Sequence, residues 1–171
     1  MNQRYYSFEP FFDANSLVLI LGSFPSVKSR QFGFYYQHPR NRFWRILEKL
    51  YGVKLEDISS QKQFLKQEKI ALWDIIASCK IKNSDDKTIS YAKANNLHDF
   101  LPQTQIKQIF TTGRYAFHFF KKFYPNLQAL ALPSSSPANL HFSFENLVEA
   151  YSIIKETTQF FSNKKDLYNK F

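Results

Sequence analysis

The side chains able to do chemistry crowd into one stretch of this chain. Lys28, Arg30, His38, Arg40, Asn41, Arg42 and Arg45 fall within residues 28–45, interleaved with Phe34, Tyr35 and Tyr36, and no Asp or Glu interrupts them. Cations among aromatic rings suit a polyanion that carries flat bases: the cations meet phosphate and the ring faces accept stacking. A merely solvated basic face would show the same cations. Asn41 follows Pro39 by two residues and precedes an apolar helical stripe, which is the position of a helix N-cap or first-turn residue. His38 either serves chemistry or bonds loop backbone. A second polar cluster, Ser134, Ser135, Ser136 and Pro137, has no nearby His–Asp pair, so it reads as a turn or a phosphate-facing loop rather than as an activated nucleophile. Asp74, closing an apolar run, is the best-placed carboxylate and is either a loop anchor or a catalytic group.

Composition removes several function classes. Cys79 is the single cysteine, so an intrachain disulfide and a four-cysteine zinc or iron–sulfur site are excluded. His38, His98, His118 and His141 show no ligand spacing, so neither a metal nor another cofactor is expected. The segment Gly22-Ser23-Phe24-Pro25 has one glycine and lacks the phosphate-loop pattern of nucleoside triphosphatases. No apolar run approaches the ~18 residues of a membrane span, and the first residues lack a signal-peptide core, so a cytoplasmic protein is expected. A formal charge of +9 on 171 residues favours nucleic acid as partner, a generally lysine-rich surface being the other reading.

These residues need a scaffold. At 171 residues the chain is expected to form one domain with a single core, rich in phenylalanine because it holds 19 Phe against 4 Gly. Apolar runs at 17–21, 69–74, 107–112 and 128–132 read as buried parallel strands. Helical patterns lie between them: the stripe Phe43, Ile46, Leu47, Leu50, Tyr51 stopped by Gly52, then 55–68, then 114–124, then a last helix carrying Phe144, Leu147, Val148, Tyr151 and Ile154. The alternation predicts an α/β fold, a three-layer αβα domain around a central four-stranded, mostly parallel sheet. Residues 162–171 read as a frayed basic tail. In such sheets ligands bind beyond the carboxyl ends of the strands, where residues 22–30, 75–86, 112–114 and 133–139 lie.

Six segments carry a family likeness. LILGSFPSVKSR at 19–30, GFYYQHPRNRFW at 33–44, LWDIIASC at 72–79, TTGRYAFHFF at 111–120, LPSSSPAN at 132–139 and LVEAY at 147–151, with HPRNRFW at 38–44 as their centre, occur in order over nearly the whole chain. The chain resembles the uracil-DNA glycosylase superfamily, and most closely its DNA-deoxyinosine (hypoxanthine-DNA) branch, related to the mismatch-specific enzymes. It departs from the common pattern twice. Phe24 stands where those enzymes carry the Asp or Asn that places the hydrolytic water, and Leu132 stands where the uracil enzymes carry a histidine.

The resemblance implies a catalytic role for Asn41, beyond any cap. It places Gly22, Ser23, Phe24, Tyr36 and His38 in the base pocket, with Tyr36 as the stacking ring. Ser134, Ser135, Ser136 and Pro137 are then the segment that enters the minor groove, and Lys28, Arg30, Arg40 and Arg42 are left to meet phosphate. The implied protein is a monomeric, monofunctional DNA glycosylase, excising deaminated bases, hypoxanthine foremost, from double-stranded DNA in base excision repair. A uracil or mismatch glycosylase, a non-catalytic nucleic-acid-binding domain and a small-molecule hydrolase are the alternatives.

Overall fold

The computed structural model describes residues 3–168, with side chains to residue 164. Four strands form the central sheet: β2 (Val18–Gly22), β3 (Ile70–Asp74), β6 (Gln108–Thr112) and β7 (Leu130–Leu132), in the order β3-β2-β6-β7 and parallel throughout. Every residue of β2 and β3 is buried. Since alternate side chains point to opposite faces, both faces of the sheet are covered, as a three-layer α/β domain requires.

The helices follow from amphipathic spacing and local caps. In α2 (Phe43–Tyr51) the buried residues Phe43, Trp44, Ile46 and Leu47 form one stripe, and Gly52 in the left-handed region (φ 67°) returns its N–H to the Glu48 carbonyl. Helix α3 (Ile58–Gln67) starts with a reciprocal Asp57–Ser60 capping box. Helix α5 (Arg114–Phe123) follows β6, and α6 (Phe144–Tyr168) turns Leu147, Tyr151, Ile154 and Thr158 inward. The expected frayed tail is therefore helical as far as Tyr168, because the chain continues α6 without a breaker; residues 169–171 lie outside the described residues.

The region expected to be loop after β3 is ordered instead. The backbone passes through Ile75 into β4 (Ile76–Lys80), which pairs antiparallel with β1 (Tyr5–Tyr6) and β5 (Ser90–Ala94) to make a second, three-stranded sheet. Its strands are short and irregular in register, which is why no apolar alternation announced them. A six-residue helix, α1 (Val27–Phe32), likewise replaces the loop expected after β2; Ser26 caps it by accepting the Ser29 N–H. A single turn, α4 (Leu97–Phe100), precedes β6.

Chain order fixes where a ligand can sit. From β2 the chain crosses to β3 on one side and later to β6 on the other, so the sheet has its switch point beside the carboxyl end of β2. The register sets Gly22 opposite Asp74, with Thr112 ending the neighbouring strand β6. Gly113 then turns the chain with φ +94°, and a Cβ there would lie 2.9 Å from the Ser134 Cβ. Gly113→Ala is expected to cost about 1–3 kcal/mol through that conformation and contact; the midpoint of urea unfolding measures it.

Candidate active site

A cavity of about 280 Å³ opens at the switch point. Gly22, Ser23 and Phe24 from the end of β2 form part of its wall, with Asp74 from β3, Thr112 from β6 and Ser134 to Ala138 from the loop after β7. Tyr35, Tyr36, His38 and Asn41 enter from the loop before α2, and Ser84 and Asp86 from the connection between β4 and β5. The structure thus brings together Asn41, Gly22, Ser23, Phe24, Tyr36, His38, Ser134, Ser135, Ser136 and Pro137 at one cavity. It leaves Lys28, Arg30, Arg40 and Arg42 outside the lining.

Asn41 is not the cap expected from its position: the N-cap of α2 is Arg42, which makes no side-chain cap bond, and Asn41 lies one residue before it at the cavity. Its Oδ1 accepts the Phe43 N–H at 2.9 Å, and its own N–H donates to the His38 carbonyl at 2.8 Å. The bond to Phe43 restrains the amide, while Nδ2 has no protein partner among the described residues. His38 accepts the Arg40 N–H on Nδ1 at 3.1 Å, which leaves any proton of the neutral ring on Nε2.

Tyr36 is held under strain. Its φ of 57° lies in the left-handed region, costly for an aromatic residue. One face of the ring stacks on Phe43 with centroids 3.9 Å apart and planes inclined by 16°. Its hydroxyl contacts Thr112 Oγ1 at 3.1 Å, and Thr112 Oγ1 lies 3.4 Å from the Leu21 carbonyl. Either hydroxyl can donate in the Tyr36–Thr112 bond; when Thr112 donates to the Leu21 carbonyl, Tyr36 is the donor to Thr112. Burial raises the Tyr36 pKa well above its ordinary value.

Two of the four expected phosphate cations prove to be structural. The Arg42 guanidinium donates to the carbonyls of Ser136, Asn139 and Phe142 at 2.8–2.9 Å and to Ser135 at 3.4 Å, while its backbone N–H also bonds the Ser135 carbonyl. Arg30 donates to the Pro25 carbonyl at 2.7 Å and lies over the rings of Tyr5 and Phe24, its pKa lowered mainly by burial. Both hold loops whose carbonyls would otherwise lack donors. Lys28 and Arg40 are exposed and have no side-chain partner among the described residues. Ser135 is buried, and Ser134 and Ser136 each accept a backbone N–H of their own loop. Beyond this loop, Leu140 stands 89% exposed.

The floor of the cavity is acidic. Asp74 is 4% exposed, and its Oδ2 accepts the Ser7 hydroxyl at 2.9 Å. Burial raises its pKa to about 7; the Ser7 hydrogen bond opposes this, and the nearby charge of Asp86 adds a smaller upward effect. Asp86 accepts the Ser23 hydroxyl in a short hydrogen bond, and burial raises its pKa to about 6. Gly22 is obligatory beside Asp74: a Cβ would lie 2.8 Å from Asp74 Oδ1 and 3.4 Å from the Tyr36 hydroxyl. Among the described residues no His, Cys, Asp and Glu group could hold a metal ion.

Asp86 and Thr112 lie in the strand-end segments expected to meet ligand but were not singled out as site residues from the sequence. Thr112 carried a signal, since it ends a strand next to Gly113. Asp86 sits in NSDDK, which has the composition of a surface turn, and only the β4–β5 connection folds it back onto Ser23.

A parallel α/β sheet with a base-sized polar pocket at its switch point defines a small-ligand or nucleobase-binding enzyme fold. The profile of the Uracil DNA glycosylase superfamily matches residues 9–155, and the chain belongs to that superfamily. A hypoxanthine DNA glycosylase of Methanosarcina acetivorans is 34% identical over 146 residues, covering 80% of this chain and 89% of its own. One from Methanosarcina barkeri is 36% identical over 104 residues, 58% of this chain and 66% of that one, so the match spans just under two thirds of that relative. A solution NMR structure of a Methanosarcina acetivorans protein assigned as a uracil DNA glycosylase superposes with a TM-score of 0.76 at 28% identity, over 91% of this chain and 99% of that one.

The raised carboxylates couple the site to stability. Between the ordinary value of 3.8 and the raised values of about 7 and about 6, the folded protein binds more protons than the unfolded chain. Their contribution to stability is therefore full below that window and is lost as pH rises through it. Asp74→Asn removes one such group, and its melting temperature relative to the parent protein is expected to rise between pH 5 and pH 8. A difference that stays flat across this range would show Asp74 to be ionised in the fold.

Proposed function

We propose that this protein is a monofunctional DNA glycosylase that flips a deaminated base, hypoxanthine foremost, out of double-stranded DNA and hydrolyses its N-glycosidic bond. The observation that carries this reading is the convergence of Asn41, Tyr36 and Phe24 with the clamped Ser134–Pro137 loop around a cavity of about 280 Å³. That volume lies at the small end of ligand pockets, which run from about 300 Å³ upward, and suits a single base. The names of the Methanosarcina relatives support hypoxanthine as that base. A cytoplasmic location and action as a monomer belong to the same proposal; no helix among the described residues is long and apolar enough to cross a membrane.

Each part of the site has a task in that reaction. Extrusion costs a few kcal/mol, least for a poorly paired base. Leu140, carried out into solvent by a loop that Arg42 holds rigid, is the apolar wedge that fills the vacated stack. The flipped ring lies against the face of Tyr36 that Phe43 leaves uncovered, an interaction worth ~1–3 kcal/mol. As the bond breaks the sugar becomes cationic, and a water placed by the Asn41 amide needs little activation to add to it. No lysine lines the cavity, so a Schiff base with strand cleavage is not provided for.

The direct test incubates the protein with duplexes carrying deoxyinosine, deoxyuridine or deoxyxanthosine. Strand scission that requires alkali, with deoxyinosine cleaved best, is the expected result. Salt-sensitive binding with no abasic product would leave only a nucleic-acid-binding domain. For Asn41, two variants separate chemistry from structure. Asn41→Ala removes the acceptor of the Phe43 N–H and is expected to lose turnover and about 1 kcal/mol of stability. Asn41→Ser keeps a side-chain acceptor and is expected to lose turnover while melting close to the parent protein. Leu140→Ala is expected to slow excision from duplex DNA while sparing single strands.

A further inference from the structure

One proton donor in the cavity is needed neither to stack the base nor to place the water, and we propose that this group, Asp74, protonates the departing base at N7, making this a site for purines. This rests on the glycosylase reading and adds to it the class of base. The other hydrogens at the cavity are committed or lack acidity. The Tyr36 hydroxyl is bonded to Thr112 and burial makes it a weaker acid, the Tyr35 hydroxyl donates to the Glu9 carbonyl at 2.7 Å, and the Ser23 hydroxyl donates to Asp86. The Asn41 amide is a donor without acidity. No lysine or arginine lines the cavity. His38 is half-buried, and its Nδ1 already serves the loop backbone.

Asp74 differs from all of these. Oδ2 is held by Ser7, whereas Oδ1 has no hydrogen-bond partner among the described residues and lies against Gly22 at the cavity wall. The groups that face it are Ser7 from the segment after β1, Tyr35 and Tyr36 from the loop before α2, and Asp86 from the β4–β5 connection, with His38 in the same cavity. None of the groups that bear on its charge is a lysine or arginine, and Asp86 is a second acid, so the surroundings keep a proton on Asp74 near neutral pH. Asp86 accepts the Ser23 hydroxyl and bears on Asp74 only through its charge.

The chemistry then balances. The C1′–N9 bond breaks, its electron pair moves into the purine, and the Asp74 Oδ1 proton goes to N7, so a neutral base leaves. A water adds through oxygen to C1′, and its surplus proton returns to the Asp74 carboxylate. A pyrimidine such as uracil departs from N1 with its charge spread over two carbonyl oxygens and has no N7, so an acid placed at N7 of a purine does not meet the atom where its charge develops. General-acid assistance of this kind contributes about 10²–10⁴-fold.

Single-turnover excision from duplexes carrying deoxyinosine or 7-deaza-2′-deoxyinosine tests the assignment, because the second base has no N7 to accept the proton. The parent protein is expected to cleave the 7-deaza base more than about 100-fold more slowly, and its deoxyinosine rate is expected to fall as pH rises through about 7. Asp74→Asn is expected to lose about 100-fold on deoxyinosine, to lose that pH limb, and to keep only the smaller 7-deaza penalty that the poorer leaving group imposes. Equal cleavage of both bases by the parent protein would overturn the proposal while leaving the glycosylase reading intact. So would a 7-deaza penalty that is undiminished in Asp74→Asn. Should that variant not fold, the parent protein's ratio still decides; no product from deoxyinosine at all would overturn both readings.

Discussion

The guanidinium of Arg42 joins two segments that nothing else connects so directly. On one side is the loop that delivers Tyr36, His38 and Asn41; on the other is the Ser134–Phe142 loop, whose carbonyls would face the protein interior without donors. Carbonyls of four residues accept from this one side chain, and the Arg42 backbone N–H adds a further bond to Ser135. A planar, permanently charged fork is suited to this because its donors are fixed in direction and keep their protons when partly buried. The cavity walls stand at their observed separation because this bond set spans them, and both the stacking ring and the Leu140 loop take their positions from it.

Beneath that clamp the parallel register supplies the floor. Pairing Gly22 with Asp74 and ending β6 at Thr112 puts a hydrogen-only position, a carboxyl and a hydroxyl side by side. The protein is strongly cationic as a whole, yet its cavity floor holds two acids and no lysine or arginine. The two fields serve different parts of one substrate. Long-range positive potential draws in the phosphate chain and is screened within about 10 Å at ordinary salt, while the buried acids stay near neutral and do not repel the approaching strand.

Much of this was legible from the chain. The four central strands and four of the helices followed from uniform apolar runs and stripes, since strands buried on both faces and long amphipathic helices leave strong patterns. The residues of the cavity wall were legible through HPRN, GSFP and PSSSP. What escaped were features whose cause is distant in sequence. The second sheet is short and half exposed, so it carries no alternation. Arg30 and Arg42 looked like phosphate ligands because an arginine that anchors carbonyls and one that anchors phosphate are identical in sequence. Asp86 lay in a turn-like segment, and its acidity reaches the site only through the β4–β5 fold-back. For Asn41, cap and reagent were weighed as rivals, whereas the N-cap is Arg42 and the Asn41 amide is restrained by its bond to the Phe43 N–H.

The span of the Arg42 clamp also bears on how the molecule acquires its activity. Its partners lie 93 to 100 residues further along the chain, and β2 pairs with β6 across a similarly wide gap. Contacts of such sequence separation form late, after loop-closure entropy has been met. During synthesis the ring-bearing and amide-bearing loop therefore exists well before the loop that completes the cavity is made. Until those residues are in place the chain has no closed cavity, so the site is a product of the complete fold rather than of any one segment.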